Sequence, residues 1–357
     1  MFHKYSKGLA IIAVATLLLG CAKEPSESWQ NNELLLLNAV QKEFFPFATP
    51  LEGYEDGSLW LISHSRSDRS EREPNDYVAF DYTGERLPTV GGQIFQTTDS
   101  TKARLLGAFA KTTRFAPIFM HDTATMQKAL HKALRVMRVG DTVKVMAASW
   151  LAYGASGCDR LNGEVNLPAN TPLIFTVILR EVVPDPKAWE LEMVQHYVDS
   201  VNALRPETFV LAKDSAGNAL TGFYISYTDT VPLDTIPYAK SGDEVGIMYE
   251  GRYLQDNFLL DTNIDSVAVN FGWTPTNPDS SHFTYTFTED ASNAYVIKAM
   301  HHAVRKVAQG SWVEVVFTSD YGYGKEGNFT TALRPVYAYT PLRFRIYVAK
   351  ISSSNSD

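Results

Sequence analysis

The chain has 357 residues, with 32 Lys and Arg against 40 Asp and Glu and a formal charge of −8. An acidic balance with no dense basic stripe argues against nucleic acid as a partner, and the length suggests two domains. The first element in chain order is a targeting segment: a polar start with His3, Lys4 and Lys7, then an apolar run from Leu9 to Leu19. That run is too short to cross a bilayer as a helix, which takes about 20 residues. It belongs to a processed leader and not to the fold.

The leader ends in Leu18-Leu19-Gly20-Cys21. A small residue before Cys at the end of an apolar run resembles the lipobox of bacterial lipoproteins. The resemblance implies a signal peptide cleaved after Gly20, lipidation of Cys21, and a lipid-anchored membrane protein of the bacterial cell envelope. Residues 22–28 read as a polar tether, and no later stretch is apolar enough to span a membrane. Ala22 stands where other bacteria place an inner-membrane retention Asp, so the outer membrane is expected, with the side left open. With Cys21 lipidated only Cys158 remains, in a loop expected to be exposed, and no intramolecular disulfide can form. No metal is expected. His301 and His302 are adjacent and point to different helix faces, and His121 and His131 lack the i,i+4 partner of a helical zinc pair. These histidines read as solvated or hydrogen-bonded.

The remaining elements come twice. Met126 to Gly154 lies over Val296 to Gly324 without a gap, roughly 170 residues further on, a period that means two copies of a whole domain. Ala129 falls on Ala299, His131 on His301, Gly140 on Gly310 and Tyr153 on Tyr323. Each copy opens with a helix, Glu33 to Phe45 and Ala188 to Leu204, the second with Trp189, Leu191, Val194, Val198 and Val201 as its apolar face. A strand follows, Ser58 to Ser63 and Gly222 to Tyr227, then a polar loop and a second strand, Asp76 to Tyr82 and Glu244 to Tyr249. Irregular segments cover 98–117 and 263–281. The clearest helix carries Met126, Ala129, Leu130, Ala133, Leu134 and Met137 on one stripe, with Thr123 or Thr125 as cap and Gly140 at a left-handed stop. Val296, Ala299, Met300, Ala303, Val304 and Val307 repeat it. The rest is β-rich, and Ile174 to Leu179 and Arg343 to Val348 close the copies as strands. One short helix against a twisted antiparallel sheet is an α+β arrangement. Pro184-Asp185-Pro186 marks the boundary.

Five motifs in order carry a family resemblance. Tyr77-Val78-Ala79-Phe80-Asp81-Tyr82-Thr83-Gly84 and Gly92-Gln93-Ile94-Phe95 are followed by Met137-Arg138-Val139-Gly140-Asp141. Leu151-Ala152-Tyr153-Gly154-Ala155-Ser156-Gly157 and the run from Leu167 to Phe175 complete the set. Together they resemble the FKBP-type peptidyl-prolyl isomerases. The resemblance implies two FKBP-like domains, each preceded by an extra helix and strand. Residues 1–20 are then signal peptide, 21–32 tether, 33–76 the first helix and strand, and 77–184 the first domain. Residues 185–242 are a connecting helix and strand, and 243–351 a second, more divergent domain.

By the same resemblance, Tyr82, Phe95, Tyr153 and Phe175 are the catalytic wall of the first copy, Tyr153 offering its phenol to a substrate carbonyl. Met126, Gln127, Leu130 and Leu167 complete that pocket. Tyr249, Leu260, Asp261, Val296, Ile297, Met300, Tyr323, Val336 and Phe344 are their counterparts in the second copy. The departures are specific. Gln96 replaces the acid expected after Phe95, Leu130 and Met300 replace the Trp of the floor, and Met126-Gln127 replaces Val-Ile. Leu260 replaces a Phe, and Tyr337 stands where a Pro is expected. The substrates implied are proline-containing polypeptides. Rotating an X-Pro bond breaks amide resonance against a barrier of roughly 18–20 kcal/mol. A dry aromatic pocket favours the less polar twisted amide, and the step calls for no cofactor. The competing reading is a catalytically weak or inactive binding or chaperone module on a membrane anchor. Glycan binding through Trp150, Trp273 and Trp312 has no stacking pattern behind it.

Overall fold

The computed structural model describes residues 27–353 apart from 70–75, 88–92, 122–125, 162–164, 215, 229–237, 275–281 and 331–333. Cys21 with its lipobox, and the expected caps Thr123 and Thr125, lie outside the described residues. The chain forms two compact units, the first ending at Pro184 and the second opening at Asp185.

In the first unit, helix α1 (Glu27–Phe44) leads into β1 (Thr49–Pro50) and β2 (Leu59–Ser65). Next come β3 (Tyr77–Arg86), β4 (Ile94–Thr97), the short α2 (Ser100–Leu105), β5 (Ile118–His121) and α3 (Lys128–Arg135). The unit closes with β6 (Thr142–Ala147), β7 (Cys158–Leu161), β8 (Val165–Leu167) and β9 (Leu173–Val183). One antiparallel sheet runs β1-β2-β6-β9-β3-β4, with β5 also paired to β3, and β7 and β8 form a separate hairpin. The strand that precedes the domain therefore belongs to the sheet, where β2 pairs with β6.

The apolar stripe of α3 is buried through Ala129, Leu130, Ala133 and Leu134 and packs on the inner face of the sheet, against Phe80, Val143, Val145, Phe175 and Val177. Met146 and Ile174 point the other way and are covered by Leu37 and Val40 of α1. The sheet is thus buried on both faces, which is why Met146, on the face away from α3, carries an apolar side chain. The helix starts at Lys128 with no side-chain cap bond, and it ends at Val136. Gly140 is left-handed, φ 93°, but it turns the chain into β6 and is no helix stop. The buried Asp141 carboxylate receives Ser67 N at 2.6 Å, His64 Nε2 at 2.7 Å and Arg138 N at 2.9 Å, fastening the end of β2 to this turn. Burial alone would raise its pKa. The bonds from Arg138, His64 and Ser67 outweigh that and hold it well below the usual carboxylate range.

The second unit repeats the pattern. Helix α4 (Pro186–Leu204) has Asp185 as cap and Pro186 in its first turn, a position that suits Pro because its N–H would be unbonded there anyway. The strands are β10 (Val210–Lys213), β11 (Ala219–Thr228), β12 (Glu244–Tyr253), β13 (Leu259–Thr262), β14 (Phe283–Thr286), β15 (Trp312–Phe317) and β16 (Leu342–Ser352). Helices α5 (Asp265–Phe271) and α6 (Lys298–Val304) lie among them. The order is β10-β11-β15-β16-β12-β13, with β14 on β12. Both units are α+β, each a twisted antiparallel sheet with the same strand order. Each segment expected to be irregular contains a short helix, α2 or α5. In α4 the buried residues are Glu190, Val194 and Val198, so the face is set by Glu190 and not by Trp189 or Leu191. Cys158 is buried on β7, not exposed in a loop.

His301 on α6 is neither solvated nor hydrogen-bonded. It is fully buried, stacked on Phe287 with ring centroids 4.4 Å apart, and neither ring nitrogen has a partner. Burial, then His302 and Arg305, push its pKa down to about 4. A base whose pKa falls on folding stabilises the fold above its unfolded value near 6.5, and that contribution is lost as the pH falls toward 4. The unfolding free energy of the second unit, read from urea titrations, should drop between about pH 7 and pH 4 by on the order of 2–3 kcal/mol from this group. His301→Leu should flatten that acid limb, and an unchanged limb would assign the acid sensitivity elsewhere.

Candidate functional site

Alternation along β3 and β9 turns Phe80, Tyr82, Phe175 and Val177 toward α3. The three rings form a chain, with centroids 6.4 Å apart for Phe80 and Tyr82 and 6.3 Å for Tyr82 and Phe175. Phe95 meets Tyr153 edge-on at 5.9 Å. The Tyr82 hydroxyl donates to Gln96 Oε1. The Tyr153 phenol is hydrogen-bonded to Tyr82; burial first, with Cys158 adding to it, holds its pKa above the usual tyrosine value. Tyr153 is therefore a neutral phenol through the physiological range.

Tyr82, Phe95, Met126, Leu130, Leu167 and Phe175 are 5 % exposed or less, and Phe175 is 0 % exposed. Tyr153 and Gln127 keep partial exposure. Phe175, expected as a catalytic wall, is a core residue that nothing from solvent can touch, because the inner face of the sheet is closed over it by α3.

The second copy brings together Tyr249, Asp261 and Tyr323. Register places Tyr249 and Asp261 where the first copy has Tyr82 and Gln96, since Gly84 pairs with Gln96 and Gly251 with Asp261. The Tyr249 hydroxyl donates to Asp261 Oδ2 at 2.8 Å, and its ring stacks on Phe344 at 6.1 Å. Burial, then the Asp261 charge, drive the Tyr249 pKa up. Burial also raises Tyr323, with a bond to Asn328 opposing. Leu260, Met300, Val336 and Phe344 are buried, whereas Tyr249, Val296, Ile297 and Tyr323 are half-buried and Asp261 is exposed. The polar groups of this copy are the more accessible ones.

Backbone geometry around the two tyrosines is duplicated in detail. Gly154 and Gly324 have φ of 57° and 62°. Their carbonyls accept from Asn170 N at 2.8 Å and Tyr339 N at 3.1 Å, and both donors are themselves left-handed. Glycine is required by contact at Gly84, where a Cβ would stand 2.4 Å from Phe95 Cζ. Two buried carboxylates that patterning did not reveal, Glu33 and Glu190, bond to Ser149 and Ser319 at the head of the same turns. The available signal was that Ser149 falls on Ser319 in the gapless overlay. Outside the sheet, segment 98–117 bounds a separate cavity of about 360 Å³ with Asp81, Thr83, Lys102 and Arg180 in its wall.

Gly84→Ala must displace Phe95 and break its edge contact with Tyr153. The expected cost is about 1–3 kcal/mol, read as a lower urea midpoint of the first unit. A midpoint unchanged from the parent would mean that Phe95 is free to move.

Comparisons with known proteins follow the fold. Residues 69–180 match the sequence family of FKBP-type peptidyl-prolyl cis-trans isomerases. Among curated proteins none matches significantly. Solved structures that are similar include the three FKBP domains of wheat FKBP73, 13 % identical, covering 86 % of this chain and 99 % of that one at a TM-score of 0.31. A peptidyl-prolyl isomerase from Pseudomonas syringae pv. tomato is 17 % identical, covering 47 % of this chain and 98 % of that one at a TM-score of 0.32. FkpA from Escherichia coli is 13 % identical and covers 47 % of this chain and 62 % of that one, also at a TM-score of 0.32. Residues 69–180 thus match that family's sequence pattern, and the second unit repeats the strand order of the first.

Proposed function

We propose that the protein is a peptidyl-prolyl cis-trans isomerase of the bacterial envelope, tethered through lipid on Cys21 and acting on exported, proline-containing polypeptides. The observation that carries this reading is a phenol bonded to a side-chain acceptor beside aromatic rings, built at the same register in both units. Tyr82 with Gln96 is one instance and Tyr249 with Asp261 the other. Beside each stands a second phenol, Tyr153 or Tyr323, that retains some exposure.

In the planar amide the carbonyl and nitrogen share charge, and water stabilises that form well. Twisting the bond uncouples them. A wall of rings and aliphatic side chains withholds water from the planar form, and a neutral phenol at the substrate carbonyl fixes the chain while the imide turns. Lowering the barrier by about 4 kcal/mol gives roughly a thousandfold. The accessible groups of the second unit make it the better candidate for turnover. The deep burial of Tyr82, Phe95 and Phe175 in the first unit favours a second reading for that unit alone, a binding or structural module.

The assay is cis-to-trans relaxation of a Leu-Pro or Phe-Pro peptide with the purified mature chain. Tyr323→Phe should lower kcat/KM about tenfold if the second unit works, and Tyr153→Phe should do so if the first does. A parent rate equal to buffer removes the enzyme reading and leaves peptide binding, measured by calorimetry, as the alternative. Phe175→Ala is unsuitable for this purpose. It should cost about 3–5 kcal/mol of stability as a core truncation and so report on folding.

The anchor is tested separately. Metabolic labelling with a fatty acid should mark the chain and Cys21→Ala should abolish the mark and release the protein from membranes. A Cys21→Ala protein that stays membrane-bound would place the anchor elsewhere.

A further inference from the structure

In each unit the helix preceding the domain sends one carboxylate through the outer packing layer to a serine on the other side. Glu33 of α1 is 4 % exposed and Glu190 of α4 1 % exposed. Glu33 accepts from Ser149 N through one oxygen and from Ser149 Oγ at 2.8 Å through the other. Glu190 does the same with Ser319, from N at 2.7 Å and from Oγ at 2.9 Å. Both serines are buried as well, and each is the first residue of a 3-10 turn, Ser149–Leu151 or Ser319–Tyr321.

Those turns are the ones that deliver Tyr153 and Tyr323. The Ser149 carbonyl accepts from Ala152 N at 2.9 Å, and the Ser319 carbonyl from Gly322 N and Gly324 N at 2.8 Å. The residue before each serine is tied to the pre-domain strand, Ala148 N to Ser58 O at 2.8 Å and Thr318 N to Gly222 O at 2.9 Å. Around the two serines the sequences differ, Trp150-Leu151-Ala152 against Asp320-Tyr321-Gly322. The carboxylate-to-serine clamp is the same in both. A carboxylate suits the task because its two coplanar oxygens match one N–H and one O–H of a single residue. An amide offers one acceptor, and an apolar side chain would leave both donors buried and unbonded.

We propose that Glu33 and Glu190 are positioning residues for the two isomerase sites: each fixes, through Ser149 or Ser319, the turn that presents Tyr153 or Tyr323. The helix before each domain is then part of the site as well as a cover for the sheet. The inference rests on the isomerase reading for its kinetic consequence, but not for its structural one.

The test uses the full mature chain. Tyr153→Phe and Tyr323→Phe first identify the copy that supplies turnover. In that copy Glu→Ala should lower kcat/KM about tenfold and Glu→Gln about threefold. The paired variant, Glu→Ala with Tyr→Phe, should be no slower than Tyr→Phe alone, because the Glu acts through the Tyr. A full rate in Glu→Ala overturns the proposal, as does a loss that multiplies with that of Tyr→Phe. If the Ala variant does not fold, Glu→Gln and Ser→Ala carry the same comparison. A parent chain without turnover ends the isomerase reading, and hydrogen exchange then decides the clamp. Amides 149–154 or 319–324 should exchange at least about tenfold faster in the Ala or Gln variant while those of α3 or α6 keep their rates. Unchanged exchange at the turn defeats the proposal.

Discussion

The pairing of Tyr77–Arg86 with Leu173–Val183 fixes everything else in the first unit. Because side chains alternate across a sheet, this register decides that Phe80, Tyr82, Phe175 and Val177 face α3 while Asp81, Thr176 and Arg180 face outward. A slip of one residue would exchange the two sets. The irregularity between Ala79 and Phe80 lets the strand bend over the helix without breaking the ladder. In the second unit the ladder between β12 and β16 has its irregularity at the corresponding place, between Gly246 and Ile247. The two units share a topology because they share this pair of long central strands.

Given that frame, the differences between the copies are local and chemical. Gln96 and Asp261 occupy one register position, and each accepts a tyrosine hydroxyl. Only the Asp brings a charge beside its phenol, and it is the more exposed of the two. Phe95 lies against Gly84. In the second copy, where Leu260 replaces Phe95, the ring against Gly251 is Phe344, with Cζ 2.3 Å from where a Cβ would stand. A phenyl ring over a strand glycine is thus supplied from a different strand in each unit, and glycine is what allows the approach.

Much of this was legible in the sequence. The stripe of Ala129, Leu130, Ala133 and Leu134 has a helical period because it packs on one surface, and the five motifs mark the strands around it. What escaped were features with no periodicity. A single carboxylate such as Glu33 inside an apolar helix face reads as solvated until its partner is known, and Ser149 lies 116 residues away along the chain. The short helices α2 and α5 are too brief to impose a period. Cys158 and His301 were placed by rules that hold for exposed groups, and both are buried. The burial of Phe175 depends on the helix that packs over it from elsewhere in the chain, which no local pattern records.

The family signature and the accessible chemistry lie in different units. Most of the motif residues here are core: Tyr82, Phe95, Leu167 and Phe175 are all 4 % exposed or less. Activity requires something else, a polar group at the rim of that packing which a substrate can reach. The second unit differs at several of the motif positions and presents reachable groups, Tyr249, Asp261 and Tyr323. Two domains of one topology can differ along these separate axes, one in its packing and the other in its surface chemistry.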